Sequence, residues 1–95
     1  MRKFVVELAE KIKNADVIDS YPVINGYKIQ PWISVEDRYT MSFAKKIADD
    51  NFICHQYRVS KLEFLYLQEA IKTYKKRVQN KISEDLGIDL NEKED

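Results

Sequence analysis

Cys54 and His55 stand side by side, the one place in the chain where a nucleophile adjoins a base. In an extended segment adjacent side chains point to opposite faces. The two cannot then share the hydrogen bond that activates a nucleophile. His55 falls on one side with Ile53 and Tyr57, which reads as a structural position. A single cysteine and a single histidine do not complete a four-ligand zinc site, and no carboxylate spacing supplies the rest. Glu36-Asp37 and Asp49-Asp50 pair carboxylates, but each falls at an expected helix end, whereas acid–base work needs such groups in a cleft. Gly26 and Gly87 are isolated, so no glycine-rich phosphate loop is present. These observations point away from an enzyme and imply no cofactor and no metal.

Two other groupings bear on binding. Lys72, Lys75, Lys76, Arg77 and Lys81 crowd into ten residues. Such clusters supply the phosphate-neutralising part of nucleic-acid affinity. At helical spacing they fan around the polar side and form no single row, which also suits a solvated face. Leu62, Leu65 and Tyr66 form the second grouping. They project roughly opposite an apolar stripe that already satisfies one helix face, so they are either wrapped by the rest of the chain or covered by another molecule. Trp32 is expected beside Asp19 on the face of a hairpin away from its apolar side. That is a place for a partly buried anchor or for a binding hot spot.

The segment that positions most of these residues begins at Val59. Ser60 followed by Glu63 is a capping box, and Val59 with Phe64 is placed as a hydrophobic staple. Phe64, Leu67, Ile71, Tyr74, Val78, Ile82 and Leu86 then recur at steps of three and four, and Gly87 ends the run. The last steps of four depart from a strict heptad. The helix is therefore expected to lie against a globular core rather than to supercoil.

Upstream, residues 2–14 read as an amphipathic helix with Phe4, Val5, Leu8, Ala9 and Ile12 on one face and Asn14 at its end. Asn25-Gly26 marks a two-residue hairpin turn. It pairs Ile24 with Tyr27, Pro22 with Ile29 and Ile18 with Ile33, while Pro22 and Pro31 oppose a long ladder. Ser34 to Asp50 reads as a second helix, capped by Ser34 or Thr40, with Val35, Tyr39, Phe43, Ala44, Ile47 and Ala48 along one side. Phe52 to Val59 reads as a short third strand.

Composition sets the outer limits. The chain has 95 residues and a formal net charge of zero, which fits one domain with a modest core and no global pull toward nucleic acid or membrane. One cysteine excludes an internal disulfide and fits a reducing compartment. Glu7 and Glu10 interrupt any apolar signal region at the start, and no run approaches the ~18 apolar residues of a membrane span. Lysine, isoleucine, tyrosine and asparagine are abundant, a bias common in AT-rich genomes and their mobile elements.

The expected fold is α+β, three helices packed on a small antiparallel sheet in the order α-β-β-α-β-α. The long C-terminal helix is its spine, residues 1–90 form one domain and 91–95 an acidic frayed tail. That order matches neither a winged helix, whose hairpin follows the recognition helix, nor a double-stranded-RNA-binding domain, whose strands are consecutive. The expected function is a small, cytoplasmic, non-catalytic regulatory or interaction protein. It would meet another protein, or itself as a homodimer, through Trp32, Leu62, Leu65 and Tyr66. The alternative is nucleic-acid binding by the basic residues of the last helix.

Overall fold

The computed structural model describes residues 1–34 and 36–90. The expected tail at 91–95 and Val35 lie outside the described residues. The chain runs α1 (Lys3–Lys13), β1 (Val23–Ile24), β2 (Tyr27–Ile33), β3 (Tyr39–Ala48), β4 (Asn51–Arg58) and α2 (Lys61–Leu86). The strands form one antiparallel meander in chain order, and both helices lie on one side of it.

The fold is thus α+β with a long C-terminal helix, but with two helices rather than three among the described residues. Where a central helix was expected, Tyr39–Ala48 is the longest strand of the sheet. Its residues satisfy both periods. Tyr39, Phe43 and Ile47 lie four apart, a spacing shared by one helical turn and two pleats. Met41 decides between them. A strand puts it on the same face as Tyr39 and Phe43, and there it is buried. A helix would have turned it to the opposite side. The order is therefore helix, four strands, helix, and the helix that separated the expected order from one with consecutive strands is absent.

Local signals hold well elsewhere. Asn25 and Gly26 take φ of 51° and 85°, as a two-residue turn of this hand requires. Ile24 pairs with Tyr27, and the amide of Ile29 donates to the Pro22 carbonyl at 3.0 Å. Beyond that point the hairpin ends. Ile18 is exposed, and Ile33 pairs with Tyr39 of β3 instead. Asp49-Asp50 links β3 to β4, and the third expected strand is present as β4. In α2 the Ser60 hydroxyl accepts from the Glu63 amide, and the Glu63 carboxylate accepts from the Ser60 amide. Gly87 closes the helix at φ 67°.

The core lies between the helix pair and the inner sheet face. Val5, Ala9 and Ile12 of α1 meet Phe64, Leu67, Ala70, Ile71 and Tyr74 of α2 over Ile29 and Met41. The long connection from α1 to β1 is tied to α2 by hydrogen bonds from two side chains. Arg77 donates to the carbonyls of Lys13 and Ala15 at 2.6 and 2.8 Å, and the Tyr74 hydroxyl donates to the Asp19 carbonyl at 2.6 Å. Arg77 thereby supplies donors to carbonyls at the end of α1 that the helix itself leaves open.

Candidate functional site

Strand register assigns the sheet faces. Tyr27, Ile29 and Pro31 share the inner face with Tyr39, Met41, Phe43, Ile53, His55 and Tyr57. Cys54 points to the outer face, where its thiol lies 3.5 Å from the Ser42 hydroxyl. The expected opposition of Cys54 and His55 is therefore present. His55, however, is exposed rather than a buried structural histidine. The helices do not reach across β4, and a shallow groove of about 710 Å³ remains between α1 and the β3–β4 half of the sheet. Phe4, Leu8, Tyr27, Phe43, His55 and Tyr57 line it, with Arg2, Glu7 and Lys11 at its edge. The Phe43 and Tyr57 rings meet edge to face at 5.5 Å. The sequence gives no warning of this groove while β3 is read as a helix.

Of the perturbed ionisable groups, Arg2 borders the groove, but its guanidinium is bound to Glu63; Glu63 and Asp19 do not line it. Glu63 is buried and accepts from the guanidinium of Arg2 at 2.8 and 3.0 Å and from the amides of Ser60 and Arg2 at 3.0 and 3.2 Å. The Arg2 guanidinium, followed by the Ser60 amide, holds the Glu63 carboxyl well below the usual range, and the same pair raises Arg2. Asp19 is held low first by Lys28, at 3.2 Å, and then by the Ser20 amide. Both clusters bind chain segments to one another and do so at helix and loop ends. Among the described residues, no group of three histidine, cysteine or acidic side chains is arranged to hold a metal ion. No helix among the described residues is long and apolar enough to cross a membrane.

The expected contact residues separate into three places. Leu62 and Leu65 project from the first turns of α2 and are 67% and 45% exposed, so the described residues do not wrap them. Tyr66 does pack against the core, and the Lys13 ammonium sits 5.9 Å from its ring centre. Trp32 is on the outer sheet face as expected, but its neighbour there is Thr40, with Arg58 beyond, and Asp19 is bound to Lys28 instead. At 58% exposure Trp32 is not a partly buried anchor.

The basic residues of α2 are also divided. Arg77 is committed to the end of α1, Lys75 lies 4.0 Å from the centre of the Tyr21 ring, and Lys72 pairs with Glu69 at 3.3 Å. Lys76 and Lys81 are exposed on different sides of the helix. A contiguous phosphate-binding row is not assembled from these five.

The far end of α2 departs from expectation in another way. The stripe that packs the core is buried as far as Tyr74, and Val78 sits at its margin. Ile82 and Leu86 continue the same stripe but are 43% and 61% exposed. Ile88 and Leu90 add exposed apolar surface beyond Gly87. Helical spacing alone identifies the stripe. It does not say where the core beneath it stops. No protein-family model matches the chain, and no curated protein or solved structure matches it significantly.

Proposed function

We propose that this is a small non-catalytic interaction protein that acts by protein–protein contact, in the cytoplasm, where the exposed Cys54 thiol stays unpaired. The observation that carries this reading is the uncovered apolar surface at both ends of α2, Leu62 and Leu65 at its start and Ile82 and Leu86 at its finish. Isolated exposed leucines are ordinary on a protein surface, but grouped ones on a rigid helix suit a partner surface. The division of the basic residues among internal partners favours protein over nucleic acid as that partner.

The test compares wild type with Leu62→Lys/Leu65→Lys. Both positions are exposed, so the variant keeps its fold. It is preferable to any pairing with Tyr66, whose ring supports the core. Each protein is immobilised and exposed to host lysate with and without nuclease. The reading expects a partner held by wild type, unaffected by nuclease and reduced at least tenfold with the variant. Retention that vanishes on nuclease treatment would replace it with nucleic-acid binding through Lys76 and Lys81.

A further inference from the structure

The apolar stripe of α2 outruns its core. The helix has 26 residues, about 39 Å at 1.5 Å per residue, whereas its buried side chains end at Tyr74. Its last two to three turns present Ile82 and Leu86 with no covering layer from the sheet or from α1. The described segment after Gly87, residues 88–90, does not cover them either. It is held on a neighbouring flank, where Gln79 donates to the Leu90 carbonyl at 2.6 Å and the Leu90 amide donates to the Ser83 hydroxyl at 3.0 Å. That places Leu90 beside Gln79 and Ser83, while Ile88 lies with Asn80 and Glu84 on the side of the helix away from the strip.

The charges beside this strip are arranged unfavourably for a lone helix. Glu84 and Asp85 sit in the last turn, and no basic residue accompanies them there. Carboxylates at a helix C-terminus oppose its dipole. Lys81 lies one turn before Asp85 on the same flank of the stripe, the weaker order for a pair within one helix.

Two copies resolve both features. We propose that a second copy of this chain covers the overhang, the two α2 helices crossing antiparallel about Ile82. This inference rests on the reading of the protein as one that acts by protein contact. In an antiparallel pair, like flanks face each other, so Lys81 of each copy meets Asp85 of the other within one turn. Ile82 then packs on its own counterpart and Val78 on Leu86. A parallel pair would set unlike flanks together and bring Lys81 toward the side carrying Gln79 and Ser83, with no carboxylate opposite. The antiparallel contact is self-complementary, as a two-fold interface must be. It leaves Leu62 and Leu65 at the other end of each helix free for a foreign partner.

Light scattering behind a sizing column tests the contact at about 200 µM protein, well above the micromolar range of weak association. Wild type is expected at twice the chain mass. Ile82→Lys/Leu86→Lys is expected at the single-chain mass with unchanged circular dichroism, since neither side chain supports the core. Lys81→Asp and Asp85→Lys should each weaken the dimer by about tenfold, and the two together should restore it. A monomeric wild type overturns the inference. So does a dimer that survives Ile82→Lys/Leu86→Lys and is lost in Leu62→Lys/Leu65→Lys, a result that leaves the contact reading intact and moves the second copy to the start of α2. A double charge exchange no better than either single change overturns the antiparallel crossing.

Discussion

Glu63 joins three segments of the chain through one carboxylate. It closes the capping box of α2, binds the Arg2 side chain and backbone, and through Arg2 reaches the Arg58 carbonyl at the end of β4. Its folded-state pKa is depressed, so the stabilisation is fully present above the unfolded value of about 4.3 and is lost as pH falls below it. Glu63→Gln should therefore melt below wild type at pH 7, and the gap should narrow as pH is lowered toward 3. Thermal melts across that range check this, and a gap independent of pH would show that the charge of Glu63 is not what matters. The capping half of this residue is legible in sequence, because Ser60 and Glu63 are three apart. The Arg2 half is not, because it joins residues 61 positions apart.

At the level of elements, legibility follows how local the deciding signal is. The caps of α2, the Asn25-Gly26 turn and most of the face of α1 are set within a few residues and read correctly; Phe4, counted with that face, is instead exposed at the groove. Residues 39–48 are not, because Tyr39, Phe43 and Ile47 fit a helix and a strand equally, and only the sheet partners select the strand. The exposure of Ile82 and Leu86 is likewise a matter of where neighbouring elements end. Two substitutions probe the elements directly. Tyr74→Phe removes the donor to the Asp19 carbonyl and should cost about 1 kcal/mol in urea unfolding. A cost near zero would mean that the connection after α1 is held by other contacts. Gly87→Ala should cost a similar amount, about 1 kcal/mol. Nothing lies within 4 Å of an added Cβ, so the whole effect is the left-handed backbone at φ 67°.

At the scale of the molecule, the central claim is that a second copy of the chain covers the apolar overhang of α2 at Ile82 and Leu86. Its formal net charge of zero does little to keep copies apart. The most direct measurement is the solution mass of the wild-type protein by light scattering over a range of concentrations at low and at moderate salt. The account predicts a dimer that persists as salt rises, since the Ile82–Leu86 strip is apolar and its flanking ion pairs add only a minor, screenable part. A single-chain mass at every concentration and both salts would contradict it.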